Sequence, residues 1–262
     1  MISVDAVCDF EAGLYPGIAP GLAMERLAPV LRQGGFDVLT YDYSPVPLTR
    51  QGELILPNVL ELYRAPREMS SLWCEQGYYC IDPVMEVAVR YPHPFAWSHD
   101  GRQSHVMRDA LEARHAPVVD YLRDTHMSCG ITVPIHHGGA LATFTAIRRG
   151  SDDDLERYCA SIGYLGHLFH AAVHAGFDSR QRRCRYFNLT PRELQCLRLC
   201  AEGLTTRQIA AEIWRSEPTV ALHLNSAIRK LGGRNRTHAV AIAGWYRLLE
   251  CEACEKPIGF AS

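Results

Sequence analysis

Three polar signals divide the last third of this 262-residue chain into short helices. Thr190 and Glu193 form a capping box with Pro191 between them. The threonine side chain can satisfy a free backbone N–H at the helix start, the glutamate can reach back to the cap, and proline at the first helical position sacrifices no hydrogen bond. This predicts a helix from about Pro191 to Ala201, ended near Gly203. Thr205 with Gln208 repeats the box and opens a short helix to about Trp214, with Ile209, Ala210 and Ile213 on one face; Ala210 is small enough for a close helix crossing. Ser216 caps a third helix that turns Val220, Leu224, Ile228 and Leu231 inward and leaves Ala221, Leu222, Asn225 and Arg229 outward. Asn235 to Leu249 supplies a fourth helix. Two short helices, a tight turn and a polar outward face describe a helix-turn-helix.

Charge supports this division. The net charge of −2 conceals a polar chain: residues 180–249 hold 13 Arg and Lys against 4 Glu, a balance of +9, whereas residues 1–179 hold 13 against 22, a balance of −9. A basic helical module is the electrostatic footprint of phosphate binding, so double-stranded DNA is the expected partner of this segment. The acidic remainder is expected to serve another purpose.

Leu189-Thr-Pro-Arg-Glu193, Cys200-Ala-Glu-Gly203, Ile209-Ala210, Thr219-Val220, His223 and Lys230-Leu-Gly232 together resemble the DNA-binding domain of LuxR-type regulators. The resemblance implies that the third helix enters the major groove, with Ala221, Leu222 and Asn225 nearest the base edges and Thr219, Arg229 and Lys230 contacting the backbone. Family members usually carry Lys or Asn where this chain has Ala221. Alanine can touch a thymine methyl but donates no hydrogen bond, so the family's usual residue does not carry an operator preference over to this chain.

The rest of the chain is long enough for a second domain, and the 47% hydrophobic composition can fill its core. The sequence lacks an apolar run of membrane-spanning length and a charged start followed by an apolar stretch, so a soluble, cytoplasmic protein is expected. Ten cysteines are scattered through apolar patterns, as Cys196 and Cys200 are, which argues against a disulfide framework. His167, His170 and His174 share a helix face and Cys251-Glu-Ala-Cys254 has CxxC spacing. Neither set is completed to three or four converging ligands, so no metal and no cofactor are expected. An enzyme fused to a DNA-binding domain is the remotest reading, since no Gly-x-Ser-x-Gly elbow, HExxH motif or phosphate loop is present.

Along residues 1–175 the pattern is mixed. Met1 to Pro20 reads as a lead-in, followed by a helix from about Gly21 to Gln33 with Pro29 as a kink point. Phe36 to Tyr43 alternates as a strand, and a Pro- and Gly-rich loop then leads to a helix near Arg67 to Glu75. Asp82-Pro83 opens another helix, Phe95 to Trp97 reads as a short strand, and helices are expected over Ser104 to Ala113 and Pro117 to Asp124. Gly130 to Ile135 and Leu141 to Ile147 flank the turn His137-Gly138-Gly139 as a hairpin, and helix returns from about Asp154 to Ala175. The expected fold class is α+β: an α-β-α sandwich over 1–175, a linker over 176–188 that holds four arginines, and an all-α four-helix module with a C-terminal tail over 189–262.

Asp82-Pro83, Trp97-Ser98 and Cys129-Gly130-Ile-Thr-Val-Pro134 resemble the signal-binding domain of quorum-sensing LuxR-type regulators, in which an acyl-homoserine lactone lies between the sheet and a helical layer. By that resemblance Asp82 accepts a hydrogen bond from a ligand amide, Trp97 packs on the head group, Gly130 belongs to the same pocket wall and Thr145 lines the sheet side. Taken without the resemblance, Asp82 is a good helix N-cap and Trp97 plain core.

One helix earlier the sequence departs from the family. The tryptophan that usually donates to the lactone carbonyl falls at Met69, the usual tyrosine at Trp73, and a further pocket tyrosine at Ala65, with Tyr63 the candidate to replace that hydroxyl. Methionine has no N–H to offer a carbonyl, and tryptophan is bulkier than tyrosine and lacks its hydroxyl. Met69 and Trp73 resemble the pair found in the unpaired (solo) LuxR-type regulators of plant-associated bacteria, which are implicated in responding to low-molecular-weight plant compounds. The expectation is a homodimeric, ligand-responsive transcription factor sensing a small non-lactone molecule; the alternative is an orthodox acyl-homoserine lactone receptor.

Overall fold

Val38, Thr40 and Asp42 face one side of the first strand and Leu39, Tyr41 and Tyr43 the other, and this alternation organises the N-terminal half. The computed structural model describes residues 2–99, 107, 110–137, 139–149, 154–177 and 186–249, which group into two units, Met1–Asp178 and Ser179–Ser262. In the first unit, β1 (Phe36–Ser44), β2 (Val59–Tyr63), β3 (Phe95–Ser98), β4 (Cys129–His137) and β5 (Ala140–Arg148) form one antiparallel sheet in the order β2-β1-β5-β4-β3. Register sets Thr40 opposite Thr145 and Asp42 opposite Thr143, so these four polar side chains share one face.

Helices cover both faces, giving the α-β-α sandwich. On one side α1 (Val4–Ala12), α2 (Pro20–Arg32) and α6 (Cys159–His174) bury Leu27, Leu31 and Phe169 against Leu39, Tyr41 and Phe144. Burial of each such side chain contributes about 1.5–3 kcal/mol. Gly166 lets α6 approach the sheet, since a Cβ there would lie 3.2 Å from Val133. On the other side α3 (Met69–Cys74), α4 (Pro83–Ala88) and α5 (Ala116–Asp124) enclose a second core with Trp73, Tyr79, Trp97 and Met127.

Several expectations need correction. The lead-in contains α1, capped by Ser3, and the Pro- and Gly-rich loop contains β2. Helix α2 runs through Pro29 without interruption. A 3-10 turn, Leu155–Tyr158, precedes α6, and Ala113–His115 is a separate 3-10 turn. Half of the helix expected over Ser104 to Ala113, together with Gly138, residues 178–185 of the linker, Cys251 and Cys254, lies outside the described residues.

The second unit consists of α7 (Pro191–Ala201), α8 (Thr206–Glu212), α9 (Glu217–Lys230) and α10 (Arg236–Trp245) around a core that includes Leu197, Ile209, Val220, Leu224, Ala227 and Ile242. Both capping boxes form: Thr190 pairs reciprocally with Glu193, and Thr205 with Gln208. Ser216 caps α9 and Asn235 caps α10. Inside α9, Ala227 takes a fully buried position and Ile228 is only partly covered. Among the described residues no helix is long and apolar enough to cross a membrane.

Candidate functional site

Between the sheet and the α3–α5 layer lies a cavity of about 30 Å³, lined by Thr40, Asp42, Met69, Trp73, Tyr79, Asp82, Met85, Trp97 and Thr145 among others. Asp82 is held at the start of α4: one carboxylate oxygen accepts the Val84 N–H at 2.9 Å, the other accepts the Trp73 indole N–H at 3.1 Å, and the Met85 backbone adds a further hydrogen bond. It is therefore both helix cap and pocket carboxylate. Burial raises its pKa to about 6, against the lowering effect of those hydrogen bonds.

Sequence reasoning missed Asp42. Its carboxyl is 2% exposed and accepts hydrogen bonds from the Tyr79 hydroxyl at 2.8 Å and from the Thr143 hydroxyl. Burial pushes its pKa up to about 7; the two hydroxyls act in the opposite direction, and the Asp82 charge raises it further. The parity of β1 puts Asp42 on one strand face with Thr40, and the fold shows that this face meets the cavity.

Of the expected pocket residues, Met69, Trp73, Asp82, Trp97 and Thr145 line the cavity together. The Trp97 indole donates to the Thr132 hydroxyl at 3.0 Å, and that hydroxyl lies 2.9 Å from the Thr145 hydroxyl, so sheet and tryptophan are tied together. Gly130 acts from behind: a Cβ there would lie 2.7 Å from the Ala146 carbonyl oxygen and 2.9 Å from the Trp97 ring. Its place is to let Trp97 lie against β4. Two assignments fail. Tyr63 projects from the other face of the sheet, where its hydroxyl accepts from Arg32 at 2.9 Å. Ala65 packs beside the pocket-side core without lining the cavity.

The helix-face histidines are engaged in packing. His170 pairs with the Tyr41 hydroxyl at 2.9 Å, His167 bonds the Gly163 carbonyl at 2.8 Å, and the His174 ring packs against His170 and His137. Among the described residues no group of three His, Cys, Asp or Glu side chains is arranged to hold a metal ion.

In the second unit the outer face of α9 carries Leu222, Asn225 and Arg229, with Ala221 and Thr219 partly exposed beside them. Leu222 is 69% exposed, unusual for a leucine on a helix packed on its other side. The Thr219 hydroxyl lies 2.8 Å from the Ser216 hydroxyl within the helix cap. The ammonium of Lys230, expected at the DNA backbone, is bound to the buried carboxylate of Glu193 on α7.

Residues 23–173 match the autoinducer-binding domain family, and residues 188–243 match the luxR family of bacterial regulatory proteins. The chain belongs to the LuxR family. The LuxR-type chain is 30% identical over 226 residues to the HTH-type quorum sensing-dependent transcriptional regulator RpaR of Rhodopseudomonas palustris, spanning 86% of this chain and 87% of that protein. It is 28% identical over 233 residues to the transcriptional activator protein BjaR1 of Bradyrhizobium diazoefficiens, spanning 87% and 89%. The Escherichia coli SdiA crystal structure shares its fold at a TM-score of 0.56 and 20% identity, covering 94% of this chain and 97% of that one. This LuxR-type protein is thus a ligand-responsive DNA-binding transcriptional regulator with an autoinducer-binding domain, and the α8–α9 pair is its helix-turn-helix.

Proposed function

We propose that this regulator senses a small non-lactone molecule, of plant or other origin, in the cavity beneath β1, and that it acts as a homodimer on a two-fold symmetric DNA site. The observation that carries the reading is the Trp73–Asp82 hydrogen bond. In the family it resembles, the equivalent carboxylate serves a ligand amide and the neighbouring aromatic is a tyrosine. Here the bulkier indole spends its N–H on that carboxylate, and Met69 gives a lactone carbonyl no donor. Asp82, Trp97 and Thr145 are the ligand-contacting residues in this reading. Thr219, Ala221, Leu222, Asn225 and Arg229 form the DNA-facing set, and Lys230 supports it from within the domain. Ligand acts through a difference in affinity between DNA-competent and DNA-incompetent states.

The second reading, an acyl-homoserine lactone receptor, draws on the quorum-sensing description of RpaR. Incubating purified protein with host-plant extract and identifying what co-purifies by mass spectrometry tests the first, alongside thermal-shift titration with short- and long-chain lactones. Recovery of a non-lactone compound that alters DNA affinity supports it. Tight lactone binding by the unaltered protein overturns it in favour of the second.

A further inference from the structure

The cavity brings two carboxyl groups together and has no Lys, Arg or His among its described lining residues. Asp42 enters from the middle of β1 and Asp82 from the start of α4, and they are 2% and 5% exposed. The hydrogen-bond donors shown for them are neutral: two hydroxyls at Asp42, an indole and two backbone N–H groups at Asp82. Two carboxylates in one low-dielectric space repel each other, and neutral donors compensate only part of the cost of burying their charge. His115, able to become cationic, stands ahead of α5, where its Nε2 lies 3.5 Å from Glu86, and it acts on Asp82 less than the hydrogen bonds do. The aromatic rings of Trp73, Tyr79 and Trp97 border the same space. Aromatic faces beside carboxylates are the chemistry that recognises ammonium groups.

We propose that the molecule sensed here carries a protonated amine, held between Asp42 and Asp82 and against the aromatic wall. The inference rests on the reading of the cavity as the sensor site and adds the charge of its ligand. Asp82 alone could serve a neutral amide; Asp42 makes the recess a cation site. Binding draws both carboxyls into their ionised form and releases to solvent any proton they held. The groups that face the pair are Tyr79 from the turn before α4, Thr143 from β5, Trp73 from α3 and His115. Acidification therefore weakens an ammonium ligand and favours a ligand that accepts hydrogen bonds.

The probes are tyramine against 4-propylphenol, which carries a methyl in place of the ammonium, and n-butylamine against 1-butanol, titrated into the full-length protein by calorimetry and thermal shift. The amines should bind at least about tenfold tighter than their uncharged counterparts, as expected for a hydrogen bond to a charged group. Their affinity should fall about tenfold or more between about pH 8 and about pH 5.5. Asp42→Asn should abolish the preference with circular dichroism unchanged; if that variant does not fold, the pH profile of the unaltered protein decides. Equal or tighter binding of the uncharged probes overturns the inference. So does amine affinity that holds or rises on acidification, or absence of amine binding at about 10 mM, the weak end of measurable affinity. An uncharged plant compound or a lactone that binds and changes DNA affinity overturns the ammonium while leaving the cavity a sensor site.

Discussion

The Lys230 ammonium lies 2.9 Å and 2.8 Å from the two carboxylate oxygens of Glu193, joining the end of α9 to the first turn of α7. Glu193 also closes the Thr190 capping box. Burial pushes its pKa up, but the bonds from Lys230, the Thr190 N–H and Ser226 outweigh that and hold it down at about 2. Removing one partner leaves the other charge poorly compensated, so Lys230→Met should destabilise the DNA-binding unit by about 2–3 kcal/mol in thermal or urea unfolding. With a depressed folded pKa, the carboxylate's contribution is full above the unfolded value of 4.5 and is lost as pH falls toward about 2. If Lys230→Met weakens DNA binding without loss of stability, the lysine contacts DNA instead.

DNA binding should weaken steeply with added salt as phosphate contacts release counterions. Asn225→Ala, on the exposed face of α9, should relax base preference by about 1–3 kcal/mol, while Arg229→Ala should lower affinity across sequences and reduce the salt slope. Fluorescence anisotropy on a selected operator and a scrambled duplex separates the two behaviours, and an Asn225→Ala variant with unchanged base preference removes that residue from the reading face.

Gly130→Ala should cost about 1–3 kcal/mol and loosen Trp97, because the added methyl meets both the Ala146 carbonyl and the ring. Tryptophan fluorescence and urea midpoints measure the two effects; an unshifted midpoint contradicts the packing argument.

If Met69 and Trp73 exclude lactones, then Met69→Trp with Trp73→Tyr should restore a carbonyl donor and a hydroxyl, raising lactone affinity by about 0.5–1.5 kcal/mol, one net neutral hydrogen bond. Calorimetry on the double variant decides, and unaltered lactone affinity sinks the assignment.

Stability should fall as pH rises from about 6.5 through about 7.5. The folded pKa of Asp42, about 7 against 3.8 unfolded, means that its protonated form favours the folded state below the unfolded value and that this contribution is lost as pH rises through 7. His170 has the opposite sign. Burial lowers its pKa to about 3 from 6.5, so its contribution is full above 6.5 and lost as pH falls. Above about 6.5 the Asp42 slope exceeds that of Asp82, whose folded pKa is about 6 and which acts in the same direction, and Asp42→Asn should reduce the slope in urea midpoints measured at several pH values.

Where structure is dictated by neighbours in sequence, the residues announced it. The helices of the second unit begin at Thr190, Thr205, Ser216 and Asn235 because a cap is a local hydrogen bond. Helix α1 escaped notice because Phe10 is its one buried side chain, too little for a periodic apolar face. Strand β2 follows Pro57 and is half-buried throughout, so it lacks strong alternation. Asp82 and Trp97 were legible through resemblance, whereas Asp42 required knowing which side of β1 faces the α3–α5 layer. Tyr63 was misassigned for the same reason: proximity to Met69 in sequence says nothing about the side of the sheet. The Lys230–Glu193 ion pair was not legible because the two residues are remote in sequence.

The two-residue alternation of β1 has an evolutionary corollary. Leu39, Tyr41 and Tyr43 anchor the sheet to α2 and α6, while Thr40 and Asp42, one step along the same backbone, meet the cavity. A substitution at either cavity position leaves the anchoring side chains and their rotamers in place. The strand thus separates heritable variation in what is sensed from the framework that must fold, and a receptor built this way can acquire a new chemical preference in single steps.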